Sequence, residues 1–128
     1  MNEYTVEFRI HGKNLNPSAI TDDLNLEPTL VRKRGDSRGK NTSWEDGMWA
    51  YNGFPDSHGS KMWESLEEGL TFILEKLLPI RGKLENYKKA FKLILWCGHL
   101  QSELNSSFTL APRTLQMLAD LGVELFMD

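Results

Sequence analysis

Residues 31–41 read VRKRGDSRGKN and gather an unusual density of side chains that could do chemistry. Arg32, Lys33, Arg34, Arg38 and Lys40 stand against one carboxylate, Asp36. The segment thus carries +4 in a chain of net charge −3, which leaves −7 on the remainder. The run Gly35-Asp36-Ser37-Arg38-Gly39-Lys40-Asn41 approaches a phosphate-binding loop. Such a loop needs four residues between its glycines, Ser or Thr after the lysine to reach magnesium, and a following helix whose N-terminus meets the phosphate. Here three residues separate the glycines, Asn41 takes the hydroxyl position, and the residues that follow read as strands. The pattern excludes a nucleoside triphosphate site of that kind.

The same segment suits recognition better than catalysis. Trp44 and Trp49 follow it closely, and arginine beside tryptophan is a composition enriched where proteins bind one another. A basic patch on an acidic body favours an oriented contact with a charged partner over binding along nucleic acid. The candidate binding residues are Arg32, Arg34, Asp36, Arg38, Trp44 and Trp49. The plain alternative is a solvated charged turn beside two tryptophans that pack on each other.

Other chemistries lack their parts. Cys97 and His99, two apart on a predicted strand, share a face, but zinc needs three or four ligands. His11 and His58 are isolated in sequence. Cys97 sits in the apolar run LILWC, where burial disfavours the thiolate a nucleophile needs. Asp22 with Asp23 and Glu67 with Glu68 are adjacent on predicted helices, where neighbours point apart, so both pairs read as solvated surface. No catalytic or metal-binding residue is nominated.

These residues must be placed by the elements around them. Residues 4–11 alternate: Tyr4, Val6, Phe8 and Ile10 on one side, Thr5, Glu7, Arg9 and His11 on the other, a half-buried strand. Asn16 and Pro17 open a short helix as N-cap and first residue, with Ile20 and Leu24 inward. Residues 29–34 read as a second strand, which would put Arg32 and Arg34 on one face. Residues 42–51, TSWEDGMWAY, contain Asp46-Gly47, a two-residue hairpin signal that would set Trp44 opposite Trp49. A long helix is expected over 61–78, its buried stripe being Met62, Leu66, Leu70, Ile73 and Leu77. Pro79 ends it, and Ile80, Leu84 and Tyr87 suggest a further helical piece. Residues 91–100 read as the central strand, with Trp96 in the core, and Trp63 reads as core or rim. A turn over 102–107, a strand over 107–110, a helix over 111–122 with Leu115 and Leu118 inward, and a last strand over 123–128 complete the chain.

The expected order is β-α-β-β-α-β-β-α-β, an α+β domain with a largely antiparallel sheet and helices packed on it. With 128 residues, one domain spanning 1–128 is expected. One cysteine excludes an internal disulfide and fits a reducing compartment. The first ten residues lack the basic start and apolar stretch of a signal peptide, and no apolar run is long enough to span a bilayer. A cytoplasmic location is expected.

The segments NPSAITDDLNLEPTLVRKRGD, MWAYN and FTLAPRTLQMLADLGVELFMD together resemble the bacterial domain of unknown function 4279 family over nearly the whole chain. The shared pattern includes Leu26 to Pro28, the Gly35-Asp36 step, Trp49, and Leu110-Ala111-Pro112. Val31 and Arg32 stand where the family has an aromatic, and Ala111 where it has a serine-like cap, forfeiting a hydrogen bond worth about 1 kcal/mol. The resemblance implies a small bacterial cytoplasmic α+β protein and transfers no functional residues.

The expected function is a non-enzymatic module that binds another protein, with immunity-type neutralisation of a toxin as a special case. A small-ligand sensor, or a polyanion binder through residues 32–40, is the alternative. No cofactor or metal is expected, membranes and nucleic acid are not expected partners, and a homodimer stays open.

Overall fold

A computed structural model describes residues 3–100 and 107–128. Its centre is β1 (Glu3–Gly12), followed by α1 (Pro17–Leu24), β2 (Leu30–Arg32), a small ribbon of β3 (Ser37–Gly39) and β4 (Thr42–Ser43), and β5 (Gly47–Tyr51). Then come α2 (Leu66–Leu77), α3 (Arg81–Lys88), β6 (Lys92–Leu100), α4 (Pro112–Leu121) and β7 (Glu124–Met127). The main sheet runs β2-β5-β1-β6-β7. Its pairings are antiparallel except for β6 with β7, which are parallel. The fold is α+β, and the sheet is mostly antiparallel.

The alternation in β1 decides the layers. Tyr4, Val6, Phe8 and Ile10 all lie in the core, where Trp49, Tyr51, Leu93, Leu95 and Cys97 join them from β5 and β6. Helices supply the facing layer through Ile20 and Leu24, then Leu66, Leu70, Ile73, Leu74 and Leu77, then Leu84 and Leu121. At roughly 1.5–3 kcal/mol per buried large apolar side chain, this single cluster dominates the favourable side of folding.

Local chemistry sets the helix ends. Asn16 Oδ1 accepts from the Ala19 amide, and Asn25 closes α1 in the left-handed region at φ 54°. Ser65 accepts from the Glu68 amide at the start of α2. The helix expected from residue 61 therefore begins at Leu66. Trp63 instead exchanges two backbone hydrogen bonds of 2.7 Å with Tyr4, which holds that stretch extended beside β1 and leaves Met62 exposed. Ala111 offers no side-chain cap to α4, but its amide donates to Glu67 Oε2 at 2.6 Å. A carboxylate of α2 thus satisfies the backbone N–H of the N-cap residue, a donor different from the one a serine at 111 would serve.

Several expectations are corrected. Asp46-Gly47 is not a hairpin turn: β4 pairs with β3, and β5 pairs with β1 and β2. Gly47 is needed for close packing, because a Cβ there would stand 3.2 Å from the Arg32 carbonyl oxygen and 3.3 Å from that of Gly12. The hairpin instead turns at Lys40-Asn41, with Asn41 at φ 64°. The most central strand is β1; β6 lies one place off. Trp96 lies half-buried on the face away from the helices. Residues 107–110 form no strand. In α4 the inward positions are Thr114 and Leu121, with Met117 and Leu118 half-buried, and Leu115 is 51% exposed. The turn expected over 102–107 falls almost wholly outside the described residues.

A basic lobe as the candidate functional site

Beyond β2 the chain leaves the sheet and folds back on itself. Asp36 Oδ2 accepts from the Lys33 amide at 2.7 Å, and the Asp36 amide donates to the Lys33 carbonyl at 3.1 Å. Two further bonds of 2.9 Å, Gly35 N–H to Trp44 O and Trp44 N–H to Asp36 O, close the loop. Asp36 is thereby spent on shaping the turn. Since β2 ends at Arg32, Arg34 lies in the turn and does not share a strand face with Arg32.

Trp44 organises the lobe. The guanidinium carbon of Arg32 lies 3.6 Å from the centre of its ring and that of Arg38 lies 4.5 Å from it. Arginine stacked on an indole gains the attraction of the ring quadrupole while keeping its charge and most of its donors. Arg32 also reaches Asp46 Oδ1 from Nη2 at 3.3 Å and the Met48 sulfur from Nη1 at 3.7 Å. Two open grooves flank the tryptophan. One, of about 320 Å³, is lined by Gly12, Lys13, Arg38, Trp44, Glu45 and Asp46. The other, of about 440 Å³, has Arg34, Gly35 and Ser43 beside Lys13, Trp44 and Glu45.

Of the six nominated residues, Arg32, Arg34, Arg38 and Trp44 therefore meet at one surface, and Asp36 supports it. Trp49 does not belong there. It is 0% exposed, packs against Phe8 and Tyr51, and donates from its indole nitrogen to Thr21 Oγ1 at 3.0 Å. The register explains the separation: Trp49 pairs with Ile10 and Val31, which aims it into the core. Lys13, Asp46 and Met48 contribute to the lobe without having been nominated. No local motif marks Lys13, which arrives from the end of β1.

On the adjoining sheet face, His11 is flanked by charges. Burial lowers its pKa below the usual histidine range; Asp46 opposes this, while Arg32, Arg9 and Lys92 act in the same direction as burial. The thiol of Cys97 lies in the core, and burial pushes its pKa up to about 12. His99 stacks on Tyr4 with ring centres 4.6 Å apart.

No helix among the described residues is long and apolar enough to cross a membrane. No curated protein and no solved structure matches the chain. A family match extends over residues 2–128, essentially the whole chain, and on that match the chain belongs to the family of the domain of unknown function DUF4279.

Proposed function

We propose that this chain is a bacterial, cytoplasmic, non-enzymatic binding module that docks an acidic surface of a partner protein through its basic lobe. Neutralisation of a toxin is one form such a role takes. The observation that carries the reading is the pair of arginines held on Trp44. Among the described residues Arg32 has a carboxylate within ion-pairing distance, whereas Lys13, Arg34, Arg38 and Lys40 have none. Lys13, Arg32, Lys33, Arg34, Arg38 and Lys40 against Asp36, Glu45 and Asp46 leave the lobe net positive, which favours electrostatic steering of an acidic partner. Stacking also restrains two long side chains before binding, so less rotamer freedom is lost on docking. The negative body repels polyanions that extend past the lobe, which favours a compact protein surface over a nucleic acid.

Affinity capture from a bacterial lysate that includes the products of neighbouring genes tests the reading. The wild-type chain should retain a partner that the charge-reversed Arg34→Glu/Arg38→Glu chain loses. Recovery of the chain alone, or equal retention by both chains, would sink it. Retention by heparin and oligonucleotides with steep salt dependence, and by no protein, would replace it with polyanion binding.

A further inference from the structure

A second site lies on the sheet face opposite the helices. Strand β1 pairs with β5 only from Phe8 to Gly12, and its next neighbour on that side is Trp63 at Tyr4. Between these points residues 52–62 bow outward over the sheet, and beneath them is a pocket of about 180 Å³. Thr5, Glu7 and Arg9 form its floor, Trp96 one wall, and His58 and Lys61 its rim. The indole has its position because Gly98 has no side chain: a Cβ there would stand 3.0 Å from Trp96 Cη2 and 2.5 Å from Thr5 Oγ1.

The polar groups in this pocket are only half used. The Glu7 side chain is 7% exposed, and its Oε1 accepts from Arg9 Nε at 2.7 Å. Its Oε2 has no donor among the described residues and faces the roof, 3.8 Å from where a side chain on Gly59 would begin. Arg9 spends Nε on Glu7 and lies over Trp96 at 4.3 Å, and its terminal N–H groups have no acceptor among the described residues. Lys61 Nζ rests 4.9 Å from the ring centres of both Phe54 and Trp63, with no carboxylate in ion-pairing reach among the described residues. A carboxylate oxygen with no donor can accept from a ligand, and the partly exposed edge of the Arg9 guanidinium can donate to one.

We propose that this pocket binds a free α-amino acid. Its ammonium group donates to Glu7 Oε2, its carboxylate accepts from the terminal N–H groups of Arg9, and its side chain lies along Trp96. Charges of both signs facing one small space match a zwitterion better than a plain amine or a plain acid. The volume falls below the roughly 300–1,000 Å³ of sites for drug-sized ligands, which excludes nucleotides. The site is separate from the basic lobe, and a net-neutral ligand makes its affinity far less salt-dependent than docking through the lobe.

The test is thermal unfolding of the full chain against each proteinogenic L-amino acid, followed by calorimetry on those that stabilise it. Each is compared with its N-acetyl and C-amide forms. At least one amino acid should raise Tm and shift the indole N–H resonance of Trp96, identified with Trp96→Phe. Each capped form, and the Glu7→Gln chain, should bind about tenfold more weakly or worse, the loss of one charge-assisted hydrogen bond. Should Glu7→Gln fail to fold, the capped ligands measured on the wild-type chain carry the same comparison. Absence of any stabilising amino acid, a capped form binding as well as the parent, or binding that leaves Trp96 unshifted overturns the proposal.

Discussion

The guanidinium carbon of Arg32 lies 3.6 Å from the centre of the Trp44 indole, and Arg38 approaches the same ring at 4.5 Å. One half-buried side chain therefore orders two cations. Trp44→Ala should cost about 1–2 kcal/mol in urea denaturation, from two contacts each worth ~0.5–1 kcal/mol at exposed sites. The same variant should weaken partner binding more than it weakens folding. Arg32→Lys keeps the charge but not the planar fork, so it should lose most of the stacking as well. Equal stability of wild type and Trp44→Ala would show that the stack contributes nothing.

Trp49 makes the contrast. It is fully buried and hydrogen-bonded to Thr21. Trp49→Ala should therefore cost roughly 3–5 kcal/mol, as for other large core deletions. Trp49→Phe should recover most of the packing but leave Thr21 without its indole donor. Denaturation of the two tryptophan variants side by side distinguishes a core residue from a surface platform.

Glu7 and Arg9 form an ion pair with one partner nearly buried. Arg9→Met strands the Glu7 carboxylate, and the loss should lie toward the lower end of the roughly 3–5 kcal/mol typical of broken buried pairs. The lower end applies because Arg9 keeps 24% side-chain exposure. Adding Glu7→Gln to Arg9→Met should return part of the stability. Strictly additive losses in the double-mutant cycle would mean the pair is not coupled.

The amide of Ala111 donates to Glu67, so the start of α4 depends on a residue of α2. Glu67→Ala should cost about 1 kcal/mol, a lost cap with its favourable charge at the helix N-terminus. Ala111→Ser adds a separate cap, its hydroxyl accepting from the Arg113 or Thr114 amide, so it should raise stability by a similar amount with or without Glu67. Thermal melts of the four chains measure it.

Stability should fall at both ends of the pH range. The Cys97 thiol ionises near 9 when free and near 12 in the fold, so the unfolded chain gives up its proton first. Across that window this group reduces stability as pH rises, by up to about 1.4 kcal/mol per pH unit. Cys97→Ala should flatten that part of the profile. His11 behaves in mirror image. Its folded pKa lies below the free value of 6.5, so the unfolded chain takes up a proton first as pH drops below that value. Stability then decreases until His11 titrates in the fold, and His11→Gln should remove that component. Denaturant midpoints measured against pH check both signs.

The sequence by itself determined what depends on neighbours a few residues away. The period of two in β1 assigned Tyr4, Val6, Phe8 and Ile10 to one face and Thr5, Glu7, Arg9 and His11 to the other. Asn16 with Pro17 marked the start of α1, and Pro79 the end of α2. Strands mixed with helices pointed to an α+β sheet. The charge of residues 32–40 pointed to a basic surface. Only the tertiary structure decided which strands lie side by side, since pairing energy comes from partners distant in sequence. Asp46-Gly47 has the local preference of a turn, but β5 lies between β1 and β2, and the burial of all five of its residues outweighs that preference. That choice took Trp49 into the core and left Trp44 to the arginines. It also set Trp96 beside Glu7 and Arg9 beneath residues 52–62, an arrangement for which period and composition hold no signal.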